Sequence, residues 1–198
     1  MTPELLLAVV VFCFAGSMTP GPNNLLLLAS GVNYGFARTL PHIAGVIVGY
    51  SVLLLAMGLG LAGALKAVPG LHTALKIGGA LYLLWLAWKI ANAGPMDEAR
   101  EGGRPMTFVQ AVAFQWINAK GVLLAVSAIA AFTRPDAFGV TLAALIAVAT
   151  AASCLSTVTW TLFGSALRRV LGDPDRVRPF NIAMALLLVA SLYPLIVD

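Results

Sequence analysis

Lys120 is a cation with no opposite charge near it in the sequence. It lies in an apolar run over 106–132, roughly 14 residues from the start and 12 from the end. At 1.5 Å per helical residue each end is about 18 Å away, too far for one side chain to snorkel to an interface. A lysine at a bilayer centre costs about 2.5–3.5 kcal/mol on insertion scales, and such residues usually face a cavity and serve function. The eight acids, Glu4, Asp97, Glu98, Glu101, Asp136, Asp173, Asp175 and Asp198, all lie at termini or in connecting stretches. Three states of Lys120 therefore stay open: a neutral amine, an ammonium held by the carbonyls of a broken helix, or an ammonium paired with a bound anion such as a substrate carboxylate. Gln115 and Asn118 are its polar neighbours and share one helix face. Lys120 lies about 200° from Asn118 on an unbroken helix, so the three converge only if the helix breaks near Asn118.

A second polar island, Thr19-Pro20-Gly21-Pro22-Asn23-Asn24, interrupts another apolar run. Two prolines remove backbone donors and clash with the preceding turn, so no continuous helix is expected there. A broken helix leaves free amides at the start of its second half and free carbonyls at the end of its first. In hydrocarbon these groups are tolerated only when buried in protein or lining a wet cavity. Asn23 is the expected cap of the second half, whose amides and dipole would attract an anion such as a carboxylate. Prolines alone would suggest a kink repacked by its neighbours; the glycine and two asparagines beside them argue for a site.

Other polar positions carry weaker signals. Ser153, Thr157 and Trp160 form one stripe with Ser156 and Thr161 nearby, and small residues of this kind serve close helix packing. Gly45 and Gly49 mark a helix-contact face, with Tyr50 and His42 as polar tips beside it. His42, near the end of its apolar run, is expected at the membrane interface rather than in a proton relay. Cys13 and Cys154 fall inside apolar runs and read as small buried residues, not a disulfide framework. The sequence contains no metal-ligand cluster, nucleophile elbow, P-loop or dinucleotide fingerprint, so no cofactor, no metal and no nucleotide-driven pump is expected.

The elements that must position these groups follow from composition. Of the 198 residues, 60% are hydrophobic and 10% charged, with a mean hydropathy of +0.93. An ordinary soluble domain has about 25% charged residues. Such a chain belongs in a bilayer, which excludes a soluble enzyme or nucleic-acid binder. With about 20 apolar residues per crossing, there is room for six spans and no extramembrane domain. The spans are expected at 5–32, 40–65, 71–91, 106–132, 138–166 and 179–196. The amino-terminal stretch lacks a basic region and a cleavage site, and is expected to remain as the first span rather than act as a signal peptide.

Arg38, Lys89, Arg100, Arg104, Arg168, Arg169, Arg176 and Arg178 follow the odd-numbered spans, against Lys66, Lys76 and Arg134 on the other side. The positive-inside rule places the first group in the cytoplasm and both termini in the periplasm, the carboxyl end more firmly because the broken first span could be re-entrant. Asn23 and Asn118 are 95 positions apart, close to half the chain. The fold expected is therefore all-α integral membrane: one transporter domain over 1–198, six helices as two inverted three-helix repeats (about 1–95 and 104–198), with helices one and four broken. Paired interruptions of this kind point to a transporter's binding site.

The Met18-Thr19-Pro20-Gly21-Pro22-Asn23-Asn24 segment, with the glycine-rich second span, resembles the opening of the lysine/homoserine exporter (LysE/RhtB-type) family. Gln115-Trp116-Ile117-Asn118-Ala119-Lys120 is similar to that family's Asn-Pro-Lys motif. The stretches Tyr82–Ile90 and Asn181–Val189 look most like the cysteine/O-acetylserine exporter subgroup. This likeness covers essentially the whole chain. It implies export of small amino acids or derivatives from the cytoplasm across the bacterial inner membrane, by proton antiport. Ala119 replaces the motif proline. Lysine-exporting members carry an acid after a glycine in the second span, whereas here Tyr50 follows Gly49. Without a membrane acid a cationic side chain has no counter-charge, which favours neutral substrates of cysteine, O-acetylserine, homoserine or threonine type. The expected substrate-binding residues are Pro20, Gly21, Pro22, Asn23, Asn24, Gln115, Asn118, Lys120, Tyr50 and Trp160. The expected partners are a small zwitterion, protons, the lipid bilayer and a second copy of the chain as a homodimer, with no nucleic acid. Rival readings are a membrane thiol redox carrier using both cysteines, and an exporter of basic amino acids or a heavy-metal cation.

Overall fold

The computed structural model describes residues 2–61, 69–93, 104–171 and 174–193. Every regular element among them is helical. Helix α1 (Pro3–Met18) starts with Pro3 in its first turn and the Thr2 hydroxyl accepting the Leu5 amide at 3.3 Å. Thr19 and Pro20 end it. Helix α2 (Pro22–Tyr34) starts on Pro22 and stops at Gly35, whose φ of +78° suits glycine. Helix α3 (Phe36–Ala56) continues into a wide turn over Met57–Leu61, left through Gly60 at φ +103°. Helix α4 covers Pro69–Ala91. Helix α5 (Phe108–Gln115) opens with a capping box in which Thr107 and Gln110 satisfy each other's backbone amides. Helices α6 (Ala119–Phe132), α7 (Phe138–Leu171) and α8 (Pro174–Ala190) complete the chain.

The axes of α1 and α2 meet at 54° and those of α5 and α6 at 58°. Each bent pair is one interrupted apolar stretch, while Phe36–Gly60 and Pro135–Leu171 are apolar and long enough to cross alone. With α4 and α8 this is consistent with a six-span membrane protein, and the first and fourth stretches are the broken ones. Two boundaries differ from expectation. Helix α7 runs to Leu171, and α8 starts at Pro174, ahead of Pro179. The expected loop acids Asp97, Glu98 and Glu101, with Lys66, Arg100, Asp173 and Asp198, lie outside the described residues.

Helix α2 is the buried centre, with Asn24 to Asn33 all hidden from the surface. It lies against α7 where both helices have glycine: a side chain on Gly31 would strike the Thr161 carbonyl, and one on Gly164 the Leu28 carbonyl. Gly45 and Gly49 of α3 likewise admit α5, the former against the Phe108 carbonyl and the latter against Val112 and Gln115. This bears out the contact face expected of those glycines. Apolar packing divides into two clusters. One joins α2, α4 and α8 through Leu25, Leu83 and Leu188; the other joins α1, α3, α6 and α7 through Val9, Leu53, Ala125 and Leu145. The outer surface carries Leu7, Val11, Trp88, Leu123, Val140, Phe163 and Leu186, all well exposed, as lipid requires.

Candidate functional site

At the first break the carbonyl end of α1 is met by side chains from three other helices. Asn24 Nδ2 of α2 donates to the Ser17 carbonyl at 2.8 Å and the Thr19 carbonyl at 2.9 Å. From α7, Ser156 Oγ donates to the Ser17 carbonyl at 2.7 Å and Trp160 Nε1 to the Met18 carbonyl at 3.3 Å. Lys120 Nζ of α6 donates to the Thr19 carbonyl at 2.6 Å, the Thr19 hydroxyl at 2.8 Å and the Pro20 carbonyl at 3.3 Å. Lys120 Nζ thus rests on the oxygens at the carbonyl end of a broken helix, one of the arrangements left open for it. Lys120 is the second residue of α6, at the positive end of its own helix dipole, and it reaches the negative end of α1.

The second break covers Trp116–Asn118. The Trp116 and Ile117 amides turn back onto the Ala113 and Phe114 carbonyls at 3.2 Å each, and Ala119 begins the new helix. Ala119 thus occupies the first helical position that the family motif gives to proline. Asn118 is the residue before it but makes no side-chain cap; it is buried, and its Oδ1 has no hydrogen-bond partner among the described residues. Gln115, wholly buried, exchanges hydrogen bonds with Asn23 (Asn23 Nδ2 to Gln115 Oε1, 2.7 Å; Gln115 Nε2 to Asn23 Oδ1, 3.3 Å). The breaks therefore complete each other crosswise. The start of α6 serves the end of α1, and the end of α5 serves the start of α2.

A cavity of about 60 Å³ lies between them, walled by Gly21, Pro22, Asn23, Asn24, Tyr50, Asn118, Lys120, Ser153, Ser156 and Thr157. It has room for a handful of waters, the scale of a small amino acid. Gly21 is needed for the approach of Lys120, since a Cβ there would lie 2.7 Å from Lys120 Cδ and 3.1 Å from Nζ.

Of the residues singled out from the sequence, Gly21, Pro22, Asn23, Asn24, Tyr50, Asn118 and Lys120 line this cavity. Pro20 offers its carbonyl to Lys120 and Trp160 its indole N–H to Met18, both in the wall behind it. Gln115 is behind Asn23. Three expectations are corrected. Asn23 does not cap α2; Gly21 occupies the cap position without a side-chain bond, and Asn23, two residues on and within the first turn, pairs with Gln115 instead. His42, expected as a polar tip beside the face of Gly45 and Gly49, is instead 1% exposed and packed inside the bundle. Cys154 is exposed on α7, not buried, while Cys13 is buried; both are free thiols. The serines and threonine of α7 do more than permit close packing, since Ser153, Ser156 and Thr157 also wall the cavity.

Sequence reading missed the buried amide exchange between Asn33 and Asn181 (2.8 and 3.0 Å) and the hydroxyl pairs Ser30–Thr39 (2.9 Å) and Ser51–Thr150 (2.7 Å). The isolated asparagines near opposite ends of the chain were the available signal for the first.

The profile of the LysE type translocator family matches residues 14–191. Cysteine/O-acetylserine efflux proteins of Escherichia coli (strain HS) and Shigella sonnei (strain Ss046) are each 35% identical to this chain over 191 residues, which cover 96% of both partners. No solved structure matches it. A helical chain with two broken membrane stretches, this extent of family match and these relatives together place it: it is a multi-pass inner-membrane protein, a transporter rather than an enzyme, and belongs to the LysE-type translocator family.

Proposed function

We propose that this protein exports small neutral amino acids or derivatives, of cysteine, O-acetylserine, homoserine or threonine type, through the cavity between its two helix breaks. The observation that carries this is Lys120 Nζ, held in the cavity wall by carbonyl and hydroxyl oxygens with no carboxylate among its hydrogen-bond partners in the described residues. A carboxylate arriving there exchanges neutral acceptors for a charged one, and a charge-assisted bond is about twice as strong as a neutral one. The leading amides of α2, at Asn23 and Asn24, have no carbonyl partner within their own helix and stand at its positive end. They complete the anion side of the site. The buried, unpartnered Asn118 Oδ1 and the Ser153 hydroxyl supply acceptors for the substrate ammonium. No carboxylate lines the cavity to receive a cationic side chain, which favours neutral substrates over lysine or arginine.

The crosswise pairing of the breaks supports two inverted three-helix halves, because α1 and α6 exchange the same service that α2 and α5 do. The bias of basic residues supports a cytoplasmic face carrying Arg38, Lys89, Arg104 and Arg168, with both termini outside. Proton antiport enters from the family likeness. At Lys120 a carboxylate favours the ammonium form, which alone couples in the symport sense; exchange requires the substrate's ammonium to repel the proton.

The test is uptake into inside-out proteoliposomes of radiolabelled cysteine, O-acetylserine, homoserine, threonine and lysine. Transport of at least one neutral substrate in preference to lysine is expected. Preference for lysine would overturn the substrate class, and no transport of any of the five would overturn the reading.

A further inference from the structure

A second cavity, of about 70 Å³, lies between α2, α3, α4 and the start of α5, separate from the one between the breaks. Lys89 and Arg104 stand in its wall as exposed cations, on the face where basic residues collect, and Trp85 and Tyr82 form an aromatic side. Deeper in, His42 belongs to the same wall. Its ring is 1% exposed, and neither Nδ1 nor Nε2 has a hydrogen-bond partner among the described residues. A neutral imidazole has one donor and one acceptor, and leaving both unmet in a buried site is costly. Other buried polar groups nearby are already satisfied: Ser30 by Thr39, and Asn33 by Asn181 and the Ala29 carbonyl. His42 is the group left over.

We propose that this cavity is a second binding site, for a small zwitterion that offers a carboxylate acceptor and an ammonium donor together. It rests on the reading of the protein as an amino-acid exporter and adds an intake subsite on the basic face. The exposed cations take the carboxylate near the opening, and one ring nitrogen of His42 accepts from the zwitterion's ammonium at the inner wall. Gln110, in the first turn of α5, adjoins this cavity, while Gln115 at the end of the same helix pairs with Asn23 beside the central one. One short helix therefore separates the two sites.

The experiment uses the full-length protein in inside-out proteoliposomes with radiolabelled O-acetylserine and cysteine, measuring half-saturation and maximal rate separately. His42→Leu is expected to raise half-saturation about tenfold, the loss of one hydrogen bond to a charged group, with a smaller change in maximal rate. His42→Gln, which keeps a donor and an acceptor, should recover most of that loss. Lys89→Gln combined with Arg104→Gln, two exposed positions where folding is not at stake, should raise half-saturation about threefold or more at low salt and less at high salt. Trp85 supplies a direct readout. In the Lys120→Gln background O-acetylserine should still change tryptophan emission, and Trp85→Phe should remove that change. Unaltered half-saturation in the Lys89/Arg104 double variant, or no Trp85-dependent signal, would overturn the second site even if export is normal. An unmodified protein that moves neither compound would instead overturn the exporter reading.

Discussion

The two helix breaks are built from similar residues but are differently finished. At the first, the carbonyls of Ser17, Met18 and Thr19 are all claimed, Ser17 and Thr19 each by two side chains. At the second, Gln115 is fully engaged, while Asn118 stands buried with an idle oxygen and an uncapped helix start behind it. Redundant bonding makes a rigid element, and an unmet acceptor marks where something else completes the structure. The first break is thus the more fully bonded of the two, and the second the one left with an open acceptor. Lys120 belongs to both, since it starts from the second and is held by the first.

Breaking that comparison at its shared residue should have the largest effect. Lys120→Gln is expected to lower kcat/KM for a neutral amino acid about a hundredfold or more, as loss of the cation that would pair with the substrate carboxylate does. Its pH–rate profile should change shape as well. Wild-type rate with an unchanged profile in proteoliposomes would assign Lys120 a purely structural part. Next is Gly21→Ala. Its backbone is extended, so nothing is strained by the substitution itself, but the new Cβ would have to push the Lys120 stem aside. We expect about a tenfold loss of transport, from a displacement costing about 1–2 kcal/mol, with the melting temperature lowered by a few degrees.

Asn118→Leu separates the two breaks most sharply. Removing a buried acceptor that has no partner should leave the melting temperature equal or higher, because an unmet group costs about 1–3 kcal/mol, while transport falls. A clear loss of stability would mean that Asn118 is satisfied in the membrane and is not waiting for substrate. The smallest effect is expected at Asn24→Ala. The Ser17 carbonyl keeps Ser156 and the Thr19 carbonyl keeps Lys120, so destabilisation should be limited to about 1 kcal/mol by denaturation in detergent.

Much of this arrangement was legible in the residues. Two prolines flanking Gly21 dictate a broken helix whatever surrounds it, and an unreachable lysine between apolar neighbours must find oxygen somewhere. Periodicity could place Gln115 and Asn118 on one face and show that Lys120 left it, which made a break at Asn118 a condition rather than a guess. Partner choice was not legible. Asn23 and Asn24 are adjacent and identical in chemistry, yet one turns to α5 and the other back to α1, because helix rotation decides which way each points. The burial of His42 was illegible for a related reason: nearness to the end of an apolar run does not say which way the side chain faces, and here it faces into the bundle.

The crosswise pairing also sets an order of assembly. Thr19 precedes Lys120 by 101 residues, so the oxygens that will hold the lysine enter the membrane while it has yet to be synthesised. Until then, the carbonyl end of α1 has Asn24 and the Thr19 hydroxyl from its own half, and Ser156 and Trp160 arrive later still. When α6 inserts, its charge meets a cradle already in place, which offsets part of the about 2.5–3.5 kcal/mol that a lone lysine would cost at that depth. The first half of the chain thus acts as a template on which the second can afford a charge, and two halves synthesised as separate polypeptides should restore transport only when both are present during insertion.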